Sequence, residues 1–172
     1  MNDVFLVGFM GSGKSTVGPL LAERLHMPFV DLDARIVAEQ GRPIADLFAE
    51  GGESYFRGLE HDALASLTAT EPAVIACGGG IVTREDSREL LGRLGTVVYL
   101  RTTAAETLSR ISDRSSRPLL SGPNAAEDAR DLLEARSALY EAVADIEIDT
   151  VGARPLRLAE RIAAMIAARE SA

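Results

Sequence analysis

Residues Gly8-Phe9-Met10-Gly11-Ser12-Gly13-Lys14-Ser15 spell G-x-x-x-x-G-K-[ST], a pattern that few folds can carry. An apolar run, Val4–Val7, leads into it, and a helical pattern, Val17–Leu25, leads out. Strand, loop and helix in that order separate the motif from an incidental glycine-rich turn. At ordinary amino-acid frequencies a random chain this long matches the pattern on the order of one time in a hundred or less. Glycines let successive backbone N–H groups turn inward without a Cβ clash. The helix that follows aims its positive dipole end at the same point. The result is a phosphate cradle. Gly11, Ser12, Gly13, Lys14, Ser15 and Thr16 are the candidate ATP contacts. Lys14 can reach the β- and γ-phosphates, and the Ser15 hydroxyl can ligate Mg²⁺.

Four further apolar runs follow: Phe29–Leu32, Val74–Cys77, Thr96–Leu100 and Ile146–Ile148. Between and after them lie helical spacings, among them Ser54–Leu67, Glu127–Val143 and Pro155–Ala168, the last opening on a proline suited to a first helical position. Buried strands alternating with helices predict an α/β fold of right-handed βαβ units with a parallel sheet. With the loop described above, this predicts a P-loop NTPase. No repeat or interdomain linker divides the chain, so residues 1–172 are expected to form one domain. The polar segment 113–124, rich in Ser, Arg and Pro, is expected to be a mobile lid.

Composition narrows the partners. The net charge of −8 argues against non-specific nucleic-acid binding, so an anionic ligand must be held by local cations. No apolar run reaches the roughly 20 residues that span a bilayer, and no membrane partner is expected. Val4–Val7 runs straight into the glycine loop, so it is not read as a signal peptide. The lone cysteine, Cys77, allows no intrachain disulfide and suits a reducing cytoplasm, the expected location. It is read as a small core residue. His26 and His61 lack partners at metal-ligand spacing. Leu20, Leu21, Leu25, Leu132, Leu133 and Leu139 are core candidates, and the charged run from Glu127 to Arg136 reads mostly as a solvated helix face.

Asp31 and Asp33 close the second apolar run. In an extended chain residues two apart share a face, which would aim both carboxylates into the crevice beyond the strand ends. A kinase uses one carboxylate near hydrated Mg²⁺ and another to accept the proton of the attacking hydroxyl. A cap on the following helix, Ala34–Glu39, is the alternative role for Asp33. Glu53, Phe56, Arg57 and Glu60 share one helix face by their spacing, either as a solvated ion-paired face or as a site. Gly78-Gly79-Gly80 after the third run is either a flexible turn or a place where backbone approaches a ligand closely; its position at the binding edge favours the second.

Taken together, the glycine loop, Asp31-Leu32-Asp33, Gly52-Glu53-Ser54-Tyr55-Phe56-Arg57-Gly58-Leu59-Glu60, Gly78-Gly79-Gly80, Arg117-Pro118-Leu119-Leu120 and Arg136-Ser137-Ala138-Leu139-Tyr140 resemble bacterial shikimate kinases in order and spacing. The resemblance covers essentially the whole chain. It implies a nucleoside monophosphate kinase-like sheet of order 2-3-1-4-5 flanked by helices, with a substrate-binding segment at about 33–61. It implies transfer of the ATP γ-phosphate to the 3-hydroxyl of shikimate in aromatic amino acid biosynthesis, by a monomer.

Position by position, the resemblance makes Asp33, Lys14 and Arg117 catalytic. Asp33 would orient or deprotonate the attacking hydroxyl, and Arg117 would close over the transferring phosphate. Arg57 and Arg136 would clamp the substrate carboxylate, while Gly79 and Gly80 would offer backbone N–H groups. Asp31 would hold a Mg²⁺-bound water beside Ser15. Arg110, Arg154 and Pro155 would flank adenine.

A kinase for another polyhydroxylated acid, such as gluconate, is the enzymatic rival. A non-catalytic ATP-binding module is the rival from another class, and such a module could dispense with Asp33 and Arg117.

Of 18 Lys and Arg residues only Lys14 is lysine, so an amine reagent reports on the phosphate loop against the amino terminus alone. Mg-ATP should protect Lys14 from labelling, because its ammonium then pairs with phosphate oxygens, whereas shikimate should protect it little. Peptide mapping reads the site. An unchanged labelling rate with ATP would remove Lys14 from the nucleotide site.

Overall fold

A five-residue strand, β1 (Asp3–Val7), occupies the middle of a parallel sheet of order β2-β3-β1-β4-β5. The others are β2 (Phe29–Asp31), β3 (Val74–Ala76), β4 (Gly95–Arg101) and β5 (Ile146–Asp149). This computed structural model describes residues 2–67, 71–110 and 124–171. The expected lid, 113–124, lies outside the described residues apart from Asn124, and so does Arg117.

Among the described residues seven α-helices accompany the strands: α1 (Lys14–Leu25), α2 (Leu32–Gln40), α3 (Ile44–Ser66), α4 (Glu85–Leu94), α5 (Ala104–Arg110), α6 (Ala125–Val143) and α7 (Pro155–Glu170). The sheet order is the one the family resemblance implied. Pro155 takes the first turn of α7, as its fixed φ and missing N–H favour. The helix expected at 54–67 is the second half of α3. Gly52, at φ 72° and ψ −174°, breaks the helix and separates that half from residues 44–51.

Side chains alternate along each strand and divide the core into two layers. Phe5, Val7, Ile75, Val97 and Tyr99 face one way, against Ile36, Leu64, Leu91 and Tyr140 of the helices there. Val4, Leu6, Val74, Val98 and Leu100 face the other, against Val17 and Leu21 of α1 and Leu158, Ile162 and Ile166 of α7. Of the predicted core leucines, Leu21 is fully buried, while Leu20, Leu25, Leu132, Leu133 and Leu139 pack partly buried at the margins.

β1 pairs with β3 on one side and β4 on the other, and the connections β1 to β2 and β3 to β4 run to opposite sides of it. Such a switch point opens a crevice beyond the carboxyl ends of the strands. Because every ladder is parallel, Val7, Asp31, Ala76 and Arg101 all end along that edge.

The structure corrects one step of the sequence argument. Leu32 is the first residue of α2, not the last of β2, so Asp31 and Asp33 do not lie two apart on an extended strand. Asp31 is the cap: its Oδ1 accepts from Ala34 N at 3.1 Å, and Asp33 sits in the first turn of the helix.

Ile162 is fully buried between α7 and the sheet and lines none of the cavities beyond the strand ends. Ile162→Ala should therefore lower unfolding free energy by about 2–5 kcal/mol in urea melts and leave both Michaelis constants unchanged. A loss below about 1 kcal/mol would show that α7 contributes little to this layer.

Candidate active site

The phosphate loop bridges β1 and α1 with three glycines at positive φ: Gly8 at 145°, Gly11 at 72° and Gly13 at 99°. A Cβ on Gly8 would lie 2.6 Å from the Leu100 carbonyl oxygen, so this position is closed to other residues by space as well as conformation. Lys14 Nζ donates to the carbonyls of Gly8 at 2.8 Å and Phe9 at 2.9 Å, which stretches the side chain back across the loop it belongs to. The buried Thr107 hydroxyl of α5 donates to Met10 O at 3.1 Å and ties the same loop to a helix far along the chain.

Ser15 Oγ donates to Asp31 Oδ2 at 2.8 Å. A hydroxyl and a carboxylate side by side are hard oxygen groups of the kind that would hold a hydrated Mg²⁺. Among the described residues there is no cluster of three or more His, Cys, Asp or Glu side chains, and a Mg²⁺ of this type does not require one.

A cavity of about 300 Å³ opens over the loop and brings together Gly11, Lys14, Ser15, Thr16, Asp31, Asp33, Gly79 and Arg110. Cys77 also borders it, but full burial pushes its thiol pKa up, which leaves it inert as a nucleophile. A second cavity of about 200 Å³ continues past Ser12, Gly13 and Thr16 to Arg110, Ala153 and Pro155. Arg110 spans the two, donating to Gly11 O at 3.3 Å and Thr150 O at 3.1 Å. Arg154 caps α7 and is exposed, outside the lining of either cavity.

On the other side of Asp33 stand two buried cations. Arg57 and Arg136 expose only 7% and 3% of their surface. Arg136 thus departs from the solvated face expected for Glu127 to Arg136. Arg57 donates to Glu60 Oε2 at 2.5 Å and to Glu53 Oε1 at 2.9 Å. Arg136 donates to Glu53 Oε1 at 3.3 Å and to Gly79 O at 3.4 Å. The Tyr140 hydroxyl also donates to Gly79 O, and its ring stacks on Tyr99 with centroids 5.0 Å apart. Arg57 lies over the rings of Phe48 and Phe56, at 5.8 and 5.6 Å from their centroids. Glu60 is 1% exposed, and burial pushes its pKa up to about 7 against the opposing pull of Arg57.

The glycine run has a reason the sequence did not reveal. A Cβ on Gly78 would fall 2.0 Å from Glu60 Oε1, and one on Gly80 would fall 1.9 Å from the Arg57 guanidinium carbon. These two glycines make room for the buried ion pair. Gly79 is the one that borders the cavity and turns its carbonyl to Arg136 and Tyr140. Neither Glu60 burial nor the Glu53 bridge was legible beforehand, although the three- and four-residue spacing had already put both on one face with Arg57.

A parallel sheet with a phosphate loop at its switch point, a serine–aspartate pair beside it and two buried arginines near Gly79 has the marks of a P-loop kinase. Comparison with known proteins gives the family. The shikimate kinase family pattern matches residues 10–167. The shikimate kinase of Persephonella marina is 40% identical over 94% of this chain and 97% of its own. The structure of shikimate kinase from Acinetobacter baumannii in complex with shikimate superposes with a TM-score of 0.95 at 39% identity, over 98% of this chain and 94% of that one. The Aquifex aeolicus shikimate kinase structure gives a TM-score of 0.84 at 34% identity, over 98% of both chains. The chain belongs to the shikimate kinase family and is an ATP-dependent kinase.

Gly80 has ordinary backbone angles, φ −103° and ψ 4°, so alanine there is strained only through its contact with Arg57. Gly80→Ala should displace the guanidinium and weaken shikimate binding about tenfold or more by calorimetry, with ATP binding little changed. Unaltered shikimate binding would mean that Arg57 need not sit where it does.

Proposed function

We propose that this kinase transfers the γ-phosphate of ATP to the 3-hydroxyl of shikimate, as a single cytoplasmic catalytic unit. The observation that supports this best is the place of Asp33. It shares a cavity with Lys14 and Ser15, and its Oδ1 and Glu60 Oε1 both border the space a Cβ on Gly78 would take, beside the Arg57–Glu60 pair. The proposed proton acceptor thus stands between a phosphate cradle and a carboxylate-binding pocket, as an acid with a reacting hydroxyl requires.

In this reading Arg57 and Arg136 pair the shikimate carboxylate, Phe48 and Phe56 flank the ring, and the backbone at Gly79 and Gly80 closes the other wall. Arginine suits the role because its planar fork meets a carboxylate with two parallel hydrogen bonds. Asp33 orients the acceptor hydroxyl and takes its proton as the new P–O bond forms. Lys14 moves from the loop carbonyls to the phosphate oxygens and neutralises charge there. Gly11, Ser12, Gly13 and Thr16 supply the backbone cradle. Ser15 and, through water, Asp31 would hold Mg²⁺, which would screen the phosphate oxygens. Arg110 and Pro155, with Arg154 nearby, border the nucleotide base in the smaller cavity. Arg117 would approach the transferring group from the segment outside the described residues.

The test is an ADP-release assay with Mg-ATP and a panel including shikimate and gluconate, with the product's phosphorylated position read by NMR. Shikimate should be strongly preferred and the 3-position modified. Asp33→Asn should lower kcat by about 10²–10⁴-fold with ATP binding almost kept. Retention of most turnover would leave Asp33 with a structural role only.

A further inference from the structure

We propose that Glu53 is a positioning residue that holds Arg57 and Arg136 in the mutual orientation in which the two guanidinium groups receive a carboxylate together. The inference rests on the reading that these arginines pair the shikimate carboxylate, and it adds the group that makes them act as one. A single oxygen, Glu53 Oε1, accepts from Arg57 Nε at 3.2 Å, from a terminal nitrogen of Arg57 at 2.9 Å and from Arg136 at 3.3 Å. Arg57 comes from α3 and Arg136 from α6, so this oxygen joins cations of two separate helices.

Each guanidinium also has a hydrogen-bond acceptor of its own among the described residues. Glu60 holds Arg57, and the Gly79 carbonyl holds Arg136. Those anchors are separate acceptors, a carboxylate of α3 and a backbone carbonyl after β3, and neither accepts from both arginines. Glu53 is the acceptor they share among the described residues. Two like charges this close repel, and both side chains are nearly closed to water, at 8% and 4% exposed, so screening is weak. A carboxylate between them offsets the repulsion and sets their spacing. An exposed i,i+4 ion pair would do much less, because it would reach only Arg57 and would be solvated.

Glu53 is also placed to do this without supporting the core. Its own side chain is 46% exposed, so it reaches inward from the rim. It directly follows the helix break at Gly52, at the start of the second half of α3, where a helix end favours a negative charge. Truncating it opens no internal cavity.

The experiment compares Glu53→Ala, Glu53→Gln, Arg57→Ala, Arg136→Ala and the Glu53→Ala/Arg136→Ala double variant in steady-state kinetics with Mg-ATP, using shikimate and its uncharged methyl ester. Glu53→Ala should raise KM for shikimate about tenfold or more, with KM for ATP and the melting temperature nearly unchanged. Glu53→Gln, which keeps an acceptor but loses the charge, should fall between. The effect of Glu53→Ala should largely vanish with the methyl ester and in the Arg136→Ala background, because Glu53 acts through the arginines and on a charged ligand.

An unchanged KM for shikimate overturns the proposal. A lowered KM overturns it too, and would show that Glu53 competes with the ligand for the arginines. A parallel rise in both Michaelis constants with a lower melting temperature would make Glu53 merely structural. If Arg57→Ala and Arg136→Ala leave shikimate KM unchanged, the carboxylate clamp itself fails. If they raise it and Glu53→Ala does not, only the positioning role fails.

Discussion

Two arginine charges withdrawn almost completely from water set the terms for half of this molecule. A buried cation is tolerated only where counter-charges and hydrogen-bond acceptors are supplied, and here they come from three directions. Glu60 meets Arg57 from one turn further along α3, Glu53 reaches both arginines from the rim, and the Gly79 carbonyl meets Arg136. Each of these demands shapes its surroundings. Glu60 must be buried, α3 must restart at Gly52, α6 must run close to the strand edge, and the backbone after β3 must pass without side chains at two positions.

The other half depends on β1. With a neighbour on each side and apolar layers above and below, that strand has no freedom to shift. The glycine loop therefore starts from a fixed point, and Thr107 and Arg110 of α5 hold it at Met10 and Gly11. Asp33 lies where the two halves meet. The chemistry of phosphoryl transfer is mostly positioning and charge, so a rigid loop facing a preorganised cationic pocket is the arrangement it needs.

The sheet was readable because strands buried on both faces appear as continuous apolar runs, and the loop because its glycines and Lys14 admit few other uses. α7 announced itself through Pro155. Less could be read where structure is decided at a distance. α5 has only seven residues, too few to show a helical period in the sequence. Asp31 and Asp33 do border one cavity, but not by sharing a strand face, since the strand ends one residue early. Arg136 looked like part of a solvated charged face because its partners, Gly79 and Glu53, are 57 and 83 residues away. The role of Gly78 and Gly80 was likewise hidden, because the atoms they accommodate belong to α3.

That last arrangement limits how such a sequence can change over time. A side chain at position 78 or 80 collides with an end of the Arg57–Glu60 pair, while removing Arg57 strands Glu60 as a buried carboxylate and removing Glu60 leaves Arg57 with Glu53 alone. No single substitution at these four sites leads to a comfortable neighbour, and the route to an uncharged pocket passes through intermediates worse than either end. The glycines and the ion pair are therefore inherited as a block. Drift in this region should be slow even where no atom touches a ligand, and a library that randomises the four sites one at a time would miss the combinations that work.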